Sequence, residues 1–151
     1  MEYIHNHTHF SNLRMRDCIV KMDDSVSHAF KMGATASVVT DHESMAGSVK
    51  HFKAVEKIRK QGIALLAENP DNIEYQRMAN YKAVLGNEIY IAKEGMSGST
   101  WERGDKFYHF ILLAKDRIGW VQLNELSSRA WSRSFTRGVT RVPTYLSDLK
   151  E

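Results

Sequence analysis

The apolar segment 84–92 contains one charged side chain, Glu88, and this carboxylate constrains the fold more than any other feature of the sequence. Valine, leucine, isoleucine and tyrosine surround it and give the segment the character of a β-strand. Glutamate is almost never fully buried without a partner, because a charge in an apolar interior is costly. A metal ion would satisfy that charge. We therefore expect Glu88 to have partners inside the fold.

Two histidines alternate near the start of the chain, and their spacing suits a shared metal ion. If the segment 2–8 is a strand, the side chains of His5 and His7 leave the same side of it. Neutral imidazoles bind divalent transition ions, and two of them one residue apart reach a common ion without distorting a strand. The alternative is a polar strand end or part of a purification tag. Asn6 and Thr8 interrupt the histidine run, whereas a tag is usually unbroken.

Two further predicted strands carry a metal-capable side chain. The small and β-branched segment 34–40 runs directly into His42, and His109 lies inside the apolar segment 107–114. In α/β barrels and open parallel sheets, functional side chains collect at the carboxyl ends of strands. We therefore expect the histidines to converge with Glu88. Nitrogen and oxygen ligands without thiolate suit Zn, Mn or Fe, and such a set holds two or more ions in some sites.

Helical periodicity separates these predicted strands. Helices are predicted from capping candidates at 23–25 to Gly33, over 44–61, as a short surface helix within 71–79, and over 118–131. Strands and helices that alternate in this order predict an α/β fold with a parallel sheet or barrel. The segment 94–105 is rich in Gly and Ser and is expected to be a loop or hairpin tip.

The same periodicity predicts which helix faces are buried. The expected buried residues are Met45, Val49, Phe52, Val55 and Ile58 in the second helix, and Ile118, Val121, Leu123, Leu126 and Ala130 in the last. His28 and His51 lie on helices away from the strand ends, and we expect surface roles for both.

Composition limits the class of protein. A chain of 151 residues with 42% hydrophobic residues is long enough for one domain with a real core. It has no run of about 18 apolar residues and no signal peptide, so no membrane association is expected. A single cysteine, Cys18, excludes an intrachain disulfide and fits a cytoplasmic location. The net charge of +3 permits a phosphate-rich partner without requiring one.

Four arginines recur at every fourth position near the end of the chain. They are Arg129, Arg133, Arg137 and Arg141. On one continuous helix they would form a basic stripe suited to phosphates, with nearby aromatic residues available for base stacking. Gly138 and Pro143 argue against a continuous helix, and rows of arginine are usually solvated.

Several short motifs together resemble a known family. His5-Asn-His7-Thr with Ser11, Thr40-Asp41-His42 and Gly86-Asn-Glu88 look like the first motifs of the polymerase and histidinol phosphatase (PHP) family. The sequences of the segments 41–47, 86–91 and 108–115 resemble the amino-terminal PHP domain of bacterial DNA polymerase III alpha subunits. The insert 11–17 is similar to phage-encoded members. The resemblance extends over residues 3–149.

The resemblance implies a fold and a site. The fold would be the first part of a distorted (β/α)7 barrel, and residues 1–151 a partial PHP domain that lacks the later strands and their additional ligands. Implied metal ligands are His5, His7, Asp17, His42, Glu88 and His109, with Glu88 bridging ions. Glu88, His42 and Asp41 would be the catalytic residues, with Asp41 supporting its neighbour His42. His9 would lie at the rim of the site.

The resemblance also implies a function and partners. The first hypothesis is a metal-dependent phosphoesterase in DNA replication that acts on a DNA 3′ end as a 3′–5′ exonuclease, or on pyrophosphate. The expected partners are DNA and the remainder of the polymerase or a complementing chain. The missing ligands count against full activity of this chain alone. The second hypothesis is a non-catalytic structural or interaction module, and the third is a small-molecule phosphatase of the histidinol phosphate type.

Overall fold

The central strand of the protein is also the strand that carries Glu88. In a computed structural model, which describes residues 4–149, the main sheet consists of β1 (Ala36–Val39), β2 (Lys82–Ala92), β3 (Tyr108–Leu113) and the short β6 (Thr144–Tyr145). Strands β1 and β6 pair with β2 in parallel, and β3 pairs with it antiparallel. The α/β class and the expected parallel pairing are thereby confirmed, and β3 is an antiparallel member of the same sheet.

The direction of β3 follows from the connection that precedes it. Parallel neighbours need a crossover of a dozen or more residues, usually a helix. The segment 93–107 between β2 and β3 contains no helix or strand, so the chain turns back as a long hairpin. The expected loop or hairpin tip at 94–105 is confirmed.

The expected amino-terminal strand does not form. The first residues of the segment 2–8 lie outside the described part of the chain, and residues 4–8 have no regular secondary structure. They run beside β1, where Thr40 N donates to Asn6 O at 2.8 Å. The Thr8 N–H donates instead to the Asp41 carboxylate at 2.6 Å, so a side-chain acceptor replaces the strand partner that a ladder would need. A 3-10 helix, His9–Leu13, follows directly.

Four helices lie at or near the predicted positions: α1 (Met22–Lys31), α2 (Ser48–Leu66), α3 (Ile73–Ala79) and α4 (Arg117–Ser132). Asn72 and Asp116 cap α3 and α4 with their side chains. The expected caps of α1 at 23–25 are wrong, because the helix begins at Met22 and its N-cap is Lys21, whose side chain forms no cap. Asp23 and Asp24 lie in the first turn, where carboxylates favour the helix dipole.

The buried face of α2 is only partly the predicted one. Val55 is in the core, but Val49 and Phe52 are half exposed. The face is set by Gly62, which packs against α3 so closely that an added Cβ would lie 2.5 Å from Ala79 N. His51 is buried by the same orientation, which corrects the expected surface role.

In α4 the prediction holds for the second half of the helix and fails for the first. Leu123, Leu126 and Ala130 are buried, whereas Ile118 is 70% exposed and Val121 is also exposed. The main core lies between α1, β1 and α2 and is formed by Met22, Val26, Val39, Val55 and Tyr81.

The arginines near the end of the chain do not form a stripe on one helix. The last helix ends at Ser132, and a small hairpin follows, β4 (Phe135–Arg137) and β5 (Val139–Arg141). Gly138 makes its turn at φ +77°, a backbone conformation that favours glycine. Arg133 forms an ion pair with Asp148 at 2.6 Å, so the charge of this arginine is already paired within the fold.

Candidate metal centre

Four imidazoles surround the Glu88 carboxylate in the middle of β2. Glu88 is 1% exposed, and its Oε2 lies 2.9 Å from His5 Nε2 and 3.0 Å from His7 Nε2. His109 Nδ1 lies 2.6 Å from Oε1, and His42 Nδ1 lies 3.6 Å from Oε2. Side chains that are more than one hundred positions apart along the chain therefore meet at one carboxylate.

Each imidazole reaches the centre by a different route. His42 follows β1 directly and forms a parallel bridge with Glu88, as expected for a residue at the carboxyl end of a strand. His109 lies near the start of β3, opposite Tyr90. It reaches Glu88 because β3 is antiparallel to β2, and not because parallel strands end at one edge. His5 and His7 come from the irregular segment beside β1.

Asp17 joins the cluster through His42. Its Oδ2 lies 3.0 Å from His42 Nε2, and its side chain is partly exposed. All six predicted ligand residues therefore lie in one connected group of ion pairs and ring contacts, in which the rings of His7 and His42 are stacked with centroids 4.0 Å apart. Their roles as ligands stay predictions.

The atoms around Glu88 fit a metal ion. One ligand atom from each of His5, His7 and Glu88 lies within 4.8 Å of the other two. Glu88 Oε2 is buried and has no hydrogen bond among the described residues, although imidazole nitrogens are close to it. An orphaned carboxylate oxygen beside converging nitrogen lone pairs is the arrangement that a divalent transition ion would complete.

The charges of the cluster favour the ligand form of Glu88. Burial opposes its ionisation, but the imidazoles of His7, His42 and His109 outweigh burial and lower the pKa of Glu88 to about 2. Burial and the neighbouring His7 lower the pKa of His42, which favours the neutral imidazole that binds metals.

Asp41 lies beside the cluster and holds the amino-terminal segment. Its carboxylate accepts hydrogen bonds from Thr8 N at 2.6 Å and Ser11 Oγ at 2.9 Å. Ser11 Oγ in turn accepts from His42 N at 3.1 Å. The Asp41 carboxylate therefore contacts the groups that position the histidines, while its backbone carbonyl accepts a hydrogen bond from Glu88 N at 3.2 Å. His9 is half-buried against Phe10, with ring centroids 4.4 Å apart, and is not one of the side chains around Glu88.

Comparison with known proteins identifies the family. The sequence model described as "PHP domain" matches residues 4–151. The chain belongs to the PHP domain family. Relatives include "Probable DNA polymerase YorL" of Bacillus subtilis (strain 168), which is 33% identical over 150 residues, 97% of this chain and 10% of that protein. "DNA polymerase III subunit alpha" of Treponema pallidum (strain Nichols) is 32% identical over 132 residues, 87% of this chain and 9% of that protein.

The PHP resemblance carried by the short motifs is confirmed by these matches. The chain spans about a tenth of the length of the curated relatives it matches, and these include a "DNA-directed DNA polymerase" of Bacillus phage SPbeta, 33% identical and covered over 10% of its length. Within residues 4–149, no helix combines the length and the apolar character that crossing a bilayer requires.

Tyr90 is a residue of this PHP domain that the sequence analysis missed. Its hydroxyl lies 2.6 Å from His42 Nδ1, and its ring centroid lies 4.3 Å from that of His109. A phenol that holds one imidazole nitrogen orients the ring and leaves the other nitrogen to face Asp17. The available signal was its spacing, because a residue two positions after Glu88 on a strand lies on the same face.

Glu43 is the second missed residue, and no pattern in the sequence marks it. It is fully buried with a positive φ of 47°, which is rare for a residue other than glycine. Its carboxylate accepts from Tyr90 N and from Thr144 Oγ1, each at 2.8 Å. Burial raises the pKa of Glu43 to about 7, and these two hydrogen bonds oppose the rise. Glu43 thus links the strand that carries Glu88 to β6.

Proposed function

We propose that this chain is the PHP portion of a replicative DNA polymerase alpha subunit and carries a metal-dependent phosphoesterase site of the 3′–5′ exonuclease type. The observation that carries the proposal is the Glu88 carboxylate, buried in the centre of β2 and surrounded by four imidazoles. The polymerases among its relatives favour DNA as the substrate class.

The residues that would hold divalent ions are His5, His7, Asp17, His42, Glu88 and His109. Zn, Mn and Fe suit this set of nitrogen and oxygen ligands, and Glu88 would bridge ions with its two oxygens. Divalent ions in such sites lower the pKa of water and stabilise the negative charge that develops on phosphate oxygens.

Access supports a macromolecular substrate. Glu88 is 1% exposed, whereas the side chains of His5 and His109 are 45% and 60% exposed. The cluster is therefore anchored on its sheet side and open to solvent at its outer ligands. A DNA end could reach the outer ligands without first opening the core.

The test combines metal content with hydrolysis. Protein purified without a tag or chelator is analysed by elemental mass spectrometry and incubated with 5′-labelled single-stranded DNA, and a Glu88→Ala variant is treated in the same way. We expect near-stoichiometric metal and shortening of the DNA from its 3′ end, both lost in Glu88→Ala. Glu68→Ala, at an exposed position after α2, is the matched control and should retain both. A parent chain that binds metal but leaves the DNA intact would contradict the exonuclease assignment.

A structural role is the second candidate, because the strand β3 exposes several large apolar side chains. Tyr108, Phe110 and Leu113 on β3 are all exposed, and among the described residues β3 pairs only with β2. An exposed apolar strand with a free edge favours further packing against the remainder of a polymerase or a complementing chain, which would extend the sheet towards a (β/α)7 barrel. In this case Glu88→Ala would lower the melting temperature of a chain that never hydrolyses DNA. Turnover of phosphomonoesters without turnover of DNA would instead favour the histidinol phosphatase type.

A further inference from the structure

Arg14 is a buried cation whose guanidinium is incompletely paired. It follows the 3-10 helix His9–Leu13 and is 6% exposed. Its Nε and Nη1 are buried and have no hydrogen-bond acceptor among the described residues. Burial lowers the pKa of Arg14, so the fold opposes the charge that this side chain carries. Buried charges normally have partners, and an unpartnered guanidinium indicates that a group outside the described chain completes it.

The surroundings of Arg14 supply little negative charge. Its guanidinium carbon lies 3.5 Å above the ring centroid of Tyr90. The Glu43 carboxylate favours the charge from a distance but already accepts hydrogen bonds from Tyr90 N and Thr144 Oγ1. Arg141 adds positive charge nearby, and its Nε is also buried without an acceptor. Two arginines with unpartnered nitrogens in one region favour an anion.

This region adjoins the candidate metal centre. Tyr90, on which Arg14 lies, contacts His42 through its hydroxyl and His109 through its ring. Asp17, three positions after Arg14 in the same loop, contacts the other nitrogen of His42. One loop therefore carries a predicted metal ligand that contacts His42 directly and an incompletely paired guanidinium that lies on Tyr90, the residue at the other nitrogen of His42.

We propose that Arg14 is a phosphate-binding residue, whose incompletely paired guanidinium donates to an oxygen of the substrate phosphodiester next to the candidate metal centre, with Arg141 adding positive charge. This inference rests on the proposed function for the identity of the substrate. A planar guanidinium stays charged and presents its N–H donors in fixed directions, which the flexible ammonium of a lysine does not reproduce. The residue is a positioning group for the phosphate and requires no change in the assignment of the metal ligands.

The test uses metal-stripped protein, so that its outcome does not depend on hydrolysis. Inorganic phosphate is titrated by calorimetry into the parent chain, Arg14→Met, Arg14→Lys and the control Arg117→Met, which removes an exposed arginine from the first turn of α4. We expect Arg14→Met to bind phosphate at least about 10-fold more weakly than the parent, and Arg14→Lys to recover part of the loss. Arg117→Met should bind phosphate as the parent does.

Thermal unfolding without phosphate separates a binding role from a structural one. An arginine that binds phosphate but is buried without an acceptor in the free protein destabilises the free protein. The melting temperature of Arg14→Met should therefore equal or exceed that of the parent. A lower melting temperature with unchanged phosphate affinity would overturn the proposal and make Arg14 a packing residue. Failure of the parent chain to bind phosphate would overturn it as well. Phosphate binding that depends on Arg14, in a chain that hydrolyses no DNA when loaded with metal, would leave the anion site in place and refute the proposed function.

Discussion

Two buried carboxylates lie close together in this PHP domain and have opposite properties. Glu88 is surrounded by imidazoles, and its pKa is about 2, whereas Glu43 is surrounded by a backbone N–H and a hydroxyl, and its pKa is about 7. Both are almost completely removed from water. The difference teaches that burial alone does not determine ionisation. The imidazoles around Glu88 outweigh burial, whereas the two hydrogen bonds and the charges of Arg14 and Arg133 only reduce its effect at Glu43.

Tyr90 connects the two regions. Its hydroxyl contacts His42 in the metal centre, and its backbone N–H donates to Glu43. The side chain and the backbone of one residue therefore contact different regions, which makes it possible to perturb one region while leaving the other intact.

The largest expected effect separates the two carboxylates by metal affinity. Glu88→Gln should weaken binding of Zn or Mn at least about 100-fold. Mutation of a residue that only hydrogen-bonds to a metal ligand already lowers metal affinity about 10–100-fold. Glu43→Gln should bind metal as the parent does. Competition with a chromophoric chelator measures both affinities, and equal losses in the two variants would show that the regions are not distinct.

The second effect is a pH dependence of stability that belongs to Glu43. Its folded pKa, about 7, lies above the model-compound value of 4.5, so the folded state binds the proton more tightly. The contribution to stability is fully present below pH 4.5 and is lost as the pH rises to about 7, by an amount on the order of 3 kcal/mol.

Urea denaturation of metal-stripped protein at several pH values measures this contribution. The free energy of unfolding of the parent relative to Glu43→Gln should fall between pH 4.5 and 7 and stay constant above that window. His51→Gln is a useful contrast. Burial lowers the pKa of His51 to about 4, so its contribution is present above pH 6.5 and is lost as the pH falls towards 4. A flat difference for Glu43→Gln would mean that its carboxyl is not perturbed in the folded protein.

A third prediction concerns the hydroxyl that serves Glu43 from β6. Thr144→Val removes the donor to Glu43 Oε1 and should destabilise the protein by about 1–3 kcal/mol, because a buried carboxylate oxygen loses its hydrogen bond. Thr140→Val, in the neighbouring hairpin, provides a matched control of the same size. The loss of stability in Thr144→Val, measured by thermal unfolding, should be the same with and without metal. A loss that appears only with metal would show that Thr144 supports the metal-binding region.

The smallest expected effect tests the side chain of Tyr90. Tyr90→Phe removes the hydroxyl on His42 but retains the backbone N–H on Glu43. We expect metal affinity to fall about 10-fold, as for other residues that orient metal ligands, while the pH dependence assigned to Glu43 stays unchanged. Loss of that pH dependence would show that the phenol, and not only the backbone, supports Glu43.

The residues that meet at the candidate metal centre can be predicted from the sequence better than the way they assemble. Glu88 and His109 are visible as polar side chains in apolar strands, and the motif at Asp41-His42 carries a family resemblance. The antiparallel direction of β3 is not visible, because it depends on the absence of a helix from a long loop. His51 shows the same limit, since the orientation of its helix depends on the contact of Gly62 with α3.

The sequence could not predict the roles of three other residues, Glu43, Arg14 and Thr144, for a different reason. Each acts through contacts between residues far apart along the chain, such as the 2.8 Å hydrogen bond from Thr144 to Glu43. Local periodicity and spacing report on neighbours within a strand or helix, so they do not register such pairs. A glutamate directly after His42 looks like the start of a helix or turn until its positive φ is known.

The carboxylate of Asp41 has a consequence for the order in which the site assembles. It ties the irregular segment that carries His5 and His7 to the end of β1 through Thr8 and Ser11. A segment held by a few hydrogen bonds, which include Thr40 N to Asn6 O, opens at lower free energy than a strand within a sheet. We therefore expect the imidazoles of His5 and His7 to leave the cluster before His42, Glu88 and His109, which lie on or next to the sheet. Exchange of an ion bound at this centre would then occur at the rate of local opening of the amino-terminal segment, and this rate is independent of global unfolding.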